Sequence, residues 1–176
     1  WMKPITSLSR KTWQQWRIIS HDRNILHKSE HHPYCAISRH FWLQDCRQKA
    51  IAGGARFVRE LEAEAPLRQI LDSRPPPVPQ GTMLQHFVGW EVKAPAGSFD
   101  PSSAILMDFR CDQSRGMHFI YCLPFSEQTA LIESTLFTPD LAPAGFYELA
   151  IRNYLQNICN IKDYDISRRE SGVIPL

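Results

Sequence analysis

Two acidic residues interrupt apolar stretches whose composition is typical of strands. Asp108 lies within the run ILMDF and Glu133 within LIESTLF. Alternation along a strand places Glu133 on the same face as Leu131 and Thr135. Burial among apolar side chains raises the pKa of a carboxyl group, and general-acid catalysis near neutral pH requires such a raised pKa. The alternative is that both acids are partly exposed or paired with residues such as Arg110.

A turn with Asp72 and Arg74 precedes a proline-rich run, and it has two interpretations. The aspartate caps its own loop, as aspartates do in ordinary turns. Loops at strand ends of α/β proteins are also where cofactors are held. The sequence alone leaves both interpretations open.

Histidines cluster in the first quarter of the chain without the pattern of a metal site. His27 and His31 are four residues apart, but neither a helical pattern nor a third carboxylate accompanies them, and His32, Cys35 and His40 complete the cluster. We therefore interpret them as surface histidines and predict no metal. The sequence also lacks a G-x-S-x-G motif and a G-x-G-x-x-G motif.

Composition narrows the class of protein. The 176 residues suit one domain or part of a larger protein, and 43% hydrophobic with 22% charged residues is a globular balance. A net charge of +2 excludes the electrostatic footprint of nucleic-acid binding. Five scattered cysteines favour a reducing cytoplasm over a disulfide framework. The beginning at Trp1 and the apolar end GVIPL suggest a piece of a longer chain.

The elements that must position these residues form an α+β protein with a mixed, mostly antiparallel sheet. Hydrophobic periodicity predicts helices at 39–52, ended by Gly53 and Gly54, and at 146–158. The prolines at 75–79 mark a linker, so we predict a segment 1–81 and a sheet domain 82–176. Strands are predicted at 33–37, 55–58, 68–72, 83–92, 104–110, 118–123, 130–137 and 164–174.

Several motifs in order resemble the bacterial type of flavin-dependent lycopene cyclase. The most extended is LMDFRCDQSRGMHFIYCLPFSEQTALIESTLFTPDL, followed by YELAIRNYLQ and RRESGVIPL. Upstream, QHFVGWEV, ILDSRPP and RKTWQQW are similar to segments of the same family. The resemblance covers most of the chain and is strongest over residues 82–176.

The resemblance implies part of a two-domain FAD protein related to flavoprotein monooxygenases. It also implies the reaction. An acid protonates the terminal double bond of lycopene or a related acyclic carotene, a ring closes through a carbocation, and proton loss fixes the product without net redox change. Reduced FAD would serve as fixed charge that stabilises the cation. A carotene substrate further implies peripheral contact with a membrane, in the cytoplasm or at the inner membrane.

Carried onto this sequence, the resemblance assigns roles to eight residues. Glu133 and Asp108 fall on the acidic motifs of acid–base catalysis, and Asp72 and Arg74 fall on the turn near the flavin. The residues expected to contact substrate are Glu91, Trp90, Phe109 and Tyr121. Aromatic rings on strands are equally typical of a plain core.

Departures from the family pattern limit what the isolated chain is expected to do. The glycine motif for the dinucleotide is missing, and Pro75-Pro76 replaces Gly-Pro beside the flavin turn. We therefore expect the isolated chain to lack stable FAD binding and activity. The alternatives are a flavin-dependent hydroxylase or reductase of another apolar substrate and a non-catalytic carotenoid- or lipid-binding domain.

Overall fold

A seven-stranded sheet dominates the computed structural model, which describes residues 7–59, 69, 71–74 and 76–176. The strands are β1 (Ser9–Trp13), β2 (Gln15–Ile19), β3 (Asn24–Lys28), β4 (Tyr34–Ile37), β5 (Leu84–Lys93), β6 (Ala104–Asp108), β7 (Met117–Pro124), β8 (Thr129–Thr138) and β9 (Asp165–Pro175). The helices are α1 (Arg39–Ala52) and α2 (Ala144–Asn153), the latter continued by a π turn (Tyr154–Ile158). The predicted α+β class is confirmed.

The chain divides into two compact units. The first comprises the described residues of Trp1–Ser9 and Ile37–Val78, and the second comprises Arg10–Ala36 and Pro79–Leu176. Residues 10–36 therefore belong with the sheet, although the sequence placed them in the segment before residue 82. The large sheet thus includes two strands from the beginning of the chain, β2 and β3.

The large sheet belongs to the second unit and has the order β3-β2-β6-β7-β8-β5-β9. Every pairing is antiparallel except that of β2 with β6. The long strands β8 and β9 both pair with β5, which therefore fixes their relative register. A separate two-stranded sheet joins β1 to β4.

One face of the sheet packs against α2 and the π turn. Pro143, with φ of −58°, precedes the helix, and the helix buries Tyr147, Ala150 and Ile151. The predicted helix over 146–158 is confirmed, with its last turn widened into the π conformation. The fully buried residues of this core include Trp90, Val92, Ile120, Ile132, Ile151 and Leu155. Each such large side chain contributes about 1.5–3 kcal/mol through burial.

The opposite face carries a second, smaller core. Trp13, which is 1% exposed, packs with Tyr34 and with sheet residues that include Leu106, Tyr121 and Leu131. The β1–β4 pair therefore covers part of this face, which we call the acid face because Glu133 lies on it. Strands β1 to β3 were not predicted.

In the first unit, α1 has the predicted bounds, but its apolar side chains lie outside any core. Gly53 caps the helix, and Gly54 follows with φ of +92°, a value that favours glycine. No residue of α1 is buried, and Phe41 and Trp42 are largely exposed. The strand predicted at 55–58 is wrong, because these residues are irregular. Part of the strand predicted at 68–72 falls on residues 68 and 70, outside the described residues.

No helix among the described residues has both the length and the apolar character needed to cross a membrane.

Gly172 of β9 lies directly under an aromatic ring, and this contact yields a stability prediction. A Cβ at Gly172 would come within 2.5 Å of Cζ of Phe87. We expect Gly172→Ala to lower the free energy of unfolding by about 1–3 kcal/mol, because the ring must move. Gly145→Ala is the matched control, since nothing lies within 4 Å of its added methyl group. Urea denaturation followed by circular dichroism measures both; equal stability would contradict the close contact.

Candidate functional site

Glu133 lies on the acid face between a tyrosine and a glycine of the two neighbouring strands. In the register of the sheet, Tyr121 of β7 and Gly89 of β5 are directly opposite Glu133. The hydroxyl of Thr135 donates a hydrogen bond to Oε1 of Glu133 over 2.8 Å. Leu131 and Thr135 share this face, as alternation predicts. The local sequence thus positions a carboxyl group on a rigid central strand.

The surroundings of Glu133 favour its protonated form. Burial raises the pKa of Glu133 to about 7, and the charge of Glu170 raises it too, while the Thr135 hydroxyl opposes the shift. Burial, with nearby Tyr34 and Glu133, raises the pKa of Tyr121 to about 12. The pKa of Tyr34 is raised by burial and by Glu133. Near neutral pH the Glu133 carboxyl is therefore close to the pH at which it loses its proton. The phenols of Tyr121 and Tyr34 beside it remain neutral.

This raised pKa predicts how Glu133 affects stability. Below the unfolded pKa, near 4.5, the carboxyl is protonated in both states. Between that pH and the folded pKa of about 7 only the unfolded state ionises, so stability falls as the pH rises through this interval and the loss is complete above it. Glu133→Gln should therefore raise the free energy of unfolding by about 2–3 kcal/mol at pH 8 and leave it unchanged at pH 4. Denaturant titrations of variant and parent at both pH values measure the difference. A penalty for glutamine at pH 8 would contradict the burial argument.

Glu91 lies on the acid face but its charge is already matched. Arg10 of β1 donates two hydrogen bonds to its carboxylate, of 2.8 and 2.7 Å. The guanidinium also lies 3.9 Å from the ring centroid of Phe125. Hydrogen bonding to Arg10 lowers the pKa of Glu91, with a smaller contribution from Arg168. Glu91 therefore joins β1 to the large sheet and is a carboxylate near neutral pH.

An aromatic group extends the acid face beyond Glu133. The ring of Phe119 lies 5.6 Å from Phe109, 5.3 Å from Tyr121 and 5.7 Å from Phe137, between centroids. Phe109 and Tyr121, both predicted to contact substrate, are thus on the same face as Glu133. Ring faces of this kind attract positive charge.

Asp108 and Trp90 lie on the helix-covered face instead. Asp108 is opposite Ile120, a member of the core under α2, and is completely buried. Arg110 donates to its carboxylate from Nε (2.9 Å), Nη2 (2.7 Å) and the backbone amide (3.1 Å). Trp90 is also buried, with the guanidinium groups of Arg152 and Arg169 over its ring. The structure therefore does not bring Asp108 and Glu133 together.

A cleft of about 310 Å³ opens on the helix-covered face. Its walls come from α2, the π turn and the segment after β6, and its lining includes His21, Arg110, Cys111, Phe146, Leu149 and Tyr154. Because Glu133 lies on the other face of the sheet, this cleft does not adjoin the acid face.

Asp72 and Arg74 lie in the first unit and pair with each other. The backbone amide of Arg74 donates to Oδ1 of Asp72 (3.0 Å), and its guanidinium donates to both carboxylate oxygens. Both side chains are exposed. This is an aspartate turn of the ordinary kind that also presents a guanidinium group to solvent.

The histidine cluster does not assemble a metal centre in the part of the chain that the structure describes, where no group of three or more His, Cys, Asp or Glu is placed to hold an ion.

Sequence reasoning missed three residues of the acid face. Gly89 and Glu170 are directly opposite each other in the pairing of β5 with β9, and Gly89 is also opposite Glu133. Tyr34 reaches the face through the β1–β4 sheet. Only the strand register reveals these neighbours. The glycine of the motif GWEV is the one that could have been found from the sequence, by aligning this strand with the strand that carries Glu133.

Comparisons with known proteins identify a matching family and a similar fold. Residues 56–176 match the model of the lycopene cyclase protein family. The structure is similar to that of a geranylgeranyl bacteriochlorophyll reductase-like protein from Thermoplasma acidophilum, with a TM-score of 0.63 at 11% identity. That alignment covers 96% of this chain and 51% of the other, so the chain spans about half of its length. A search of curated proteins finds no match. With well over half of its residues matched by the family model, the chain belongs to the lycopene cyclase protein family.

Proposed function

We propose that the gene product carrying this chain closes the end group of lycopene or a related acyclic carotene into a ring, with Glu133 as the proton donor. The single observation that carries the proposal is the placement of Glu133, a carboxyl with a pKa of about 7 beside aromatic rings on the sheet face opposite α2. A pKa near the operating pH suits an acid that must both hold and release its proton.

The surrounding residues support each stage of such a reaction. Thr135, which donates to Oε1, leaves the second carboxyl oxygen of Glu133 to carry the acidic proton. The carotene end group would lie against Tyr121 and Phe109, which are partly exposed and pack around the buried Phe119, and their ring faces would stabilise the positive charge that develops. A substrate of this kind is held in lipid, so we place the reaction at a membrane surface.

The family implies FAD, and Asp72 and Arg74 are the residues that would hold it. Both are exposed, and a guanidinium beside a carboxylate suits the phosphate and hydroxyl groups of a dinucleotide. When bound and reduced, the flavin would supply fixed negative charge that stabilises a cation.

Expression of the gene product in a lycopene-accumulating bacterium tests the proposal. We expect a ring-closed carotene whose mass equals that of lycopene, detected by chromatography with mass spectrometry. Unchanged lycopene in cells that accumulate the folded, flavin-loaded protein would contradict it, and pigment bound but unchanged would favour a carotenoid-binding protein.

The structural neighbour favours a second candidate, reduction of a prenyl double bond. The matching fold is that of a geranylgeranyl bacteriochlorophyll reductase-like protein. A reductase would consume an electron donor, and its product would be heavier than the substrate by two hydrogen atoms. Ring closure consumes no electron donor and leaves the mass unchanged. The same mass measurement therefore separates the two candidates.

A further inference from the structure

We propose that Glu170 of β9 is the base that completes this site, accepting the proton that the ring-closed cation loses. The inference rests on the proposed function and assigns its second proton transfer to a residue of this chain. It replaces Asp108, which the strand register places on the other face of the sheet.

Glu133 and Glu170 converge over a glycine. In the sheet, Gly89 of β5 is directly opposite Glu133 on one side and Glu170 on the other. A Cβ at Gly89 would lie 3.5 Å from Cβ of Glu133 and 3.1 Å from Cγ of Glu170. The backbones of β8 and β9 are about 10 Å apart, two strand spacings. The side chains of Glu170 and Leu131, which would lie 3.1 and 3.2 Å from that Cβ, therefore close over Gly89 and bring Glu170 toward Glu133 because the glycine contributes no side chain of its own.

The two carboxyl groups have different partners. Arg168 forms an ion pair of 3.0 Å with Glu170, whose carboxylate oxygens can accept a proton. Among the described residues Glu133 forms no ion pair, and it accepts a hydrogen bond from the Thr135 hydroxyl. A pair of carboxyl groups held in unequal surroundings is the arrangement that separates an acid from a base.

Two arginines near this pair of glutamates form ion pairs with other carboxylates or with Glu170, and neither is paired with Glu133. Arg10 is matched with Glu91 and Arg168 with Glu170, both on the acid face. The proton of Glu133 is therefore available to a neutral substrate, and Glu170, in its ion pair with Arg168, lies on the same face across Gly89. The site suits an apolar end group and disfavours an anionic one.

The reaction balances within the pair. Glu133 gives its proton to the terminal double bond, whose electrons form the new C–H bond, and a second double bond attacks the resulting cation to form the ring C–C bond. The ring-closed cation then loses a proton to Glu170, and the electrons of the broken C–H bond form the ring double bond. The proton returns from Glu170 to Glu133 through water, which restores both groups, and the product is an isomer of the substrate.

Isotope exchange in deuterated water separates the two roles. In Glu170→Gln we expect ring closure to fall roughly 100-fold, while Glu133 still protonates the substrate reversibly and deuterium enters the recovered acyclic carotene. Glu133→Gln should abolish both ring closure and exchange. Gly89→Ala should lower ring closure while keeping both carboxyl groups, because the methyl group would lie 3.1 Å from Cγ of Glu170 and would push that side chain away from Glu133.

Glu148→Gln is the matched control. Glu148 lies on α2 and pairs with Arg152, as Glu170 pairs with Arg168, but it is remote from the acid face. Removing it tests the loss of a glutamate–arginine pair alone, and ring closure should be unchanged.

A measurement on the chain itself tests the coupling without any activity. Glu170→Gln should lower the pKa of Glu133 from its value of about 7, because a neighbouring negative charge is removed. Carbon NMR of the Glu133 carboxyl group across pH reports the shift, and Glu148→Gln should leave it unchanged.

The outcomes distinguish this inference from the proposed function. If the parent protein closes rings and Glu170→Gln does so equally well, or loses exchange together with ring closure, Glu170 is not the base. If the pKa of Glu133 does not move, the two groups are not coupled and the inference is wrong. If the pKa of Glu133 moves but the parent protein never closes a ring, the two glutamates are coupled as described. The proposed function is then wrong, and so is the catalytic role given to Glu170.

Discussion

Replacing Glu133 by glutamine should lower the rate of ring closure by about 10²- to 10⁴-fold, the range for removal of a general acid. Glutamine keeps the size of the side chain and can still accept the hydrogen bond from Thr135, so the packing of β8 is preserved. What it lacks is the acidic proton. Because the same substitution should stabilise the fold at pH 8, lost activity cannot be attributed to unfolding.

The experiment compares conversion of lycopene by the gene product and its variants, normalised to folded protein. Glu133→Asp retains an acid but draws the carboxyl group back toward the strand, and we expect activity between those of the parent and of the glutamine variant. Glu127→Gln, at an exposed position in the turn before β8, should behave as the parent does. Parental conversion by Glu133→Gln would remove this carboxyl from the mechanism.

The rate of ring closure should also depend on pH. With a pKa of about 7, Glu133 is protonated below neutrality and loses its proton as the pH rises. We therefore expect the rate of ring closure by the parent protein to fall between pH 7 and 9. A flat profile over that interval would contradict protonation by Glu133.

The long elements were predictable because their side chains follow one period over many residues. Strands β5 to β9 and both helices lie within a few residues of their predicted bounds, since alternation and helical spacing are local properties. Strands β1 to β3 were missed because they are short and rich in polar residues. Part of their pairing is with a strand far along the chain, β6, which no local pattern reveals.

The sequence predicted individual residues of the site, but it did not predict which of them lie together. Alternation placed Glu133 correctly beside Leu131 and Thr135, because a single strand determines which side chains share a face. Whether Asp108 shares that face depends on the register between β6 and β7, which shifts between Ile105 and Asp108. A shift of one residue turns every following side chain to the other face. Glu170 was not among the predicted site residues: the sequence predicted only a strand at 164–174, and the register alone shows Glu170 across Gly89 from Glu133.

Asp108 should matter for stability rather than for proton transfer. Its carboxylate is completely buried and depends on three hydrogen bonds from Arg110. Losing these charge-assisted hydrogen bonds should cost about 1–3 kcal/mol, because Arg110 is 32% exposed and its charge stays partly hydrated when the carboxylate is gone. We therefore expect Asp108→Asn to lower the free energy of unfolding by about that amount in guanidinium denaturation.

The chain contains its own control for this prediction. Asp72 and Arg74 have the same spacing as Asp108 and Arg110 and form the same backbone and side-chain hydrogen bonds, but on the surface. Asp72→Asn should leave stability unchanged, because water replaces the lost contacts. If the two variants are equally stable, burial adds nothing to the Asp108 pair. If Asp108→Asn alone is destabilised, the residue matched to a catalytic motif by resemblance instead anchors strand β6 to the core beneath α2. Asp108→Asn, assayed where it remains folded, should then still close the ring.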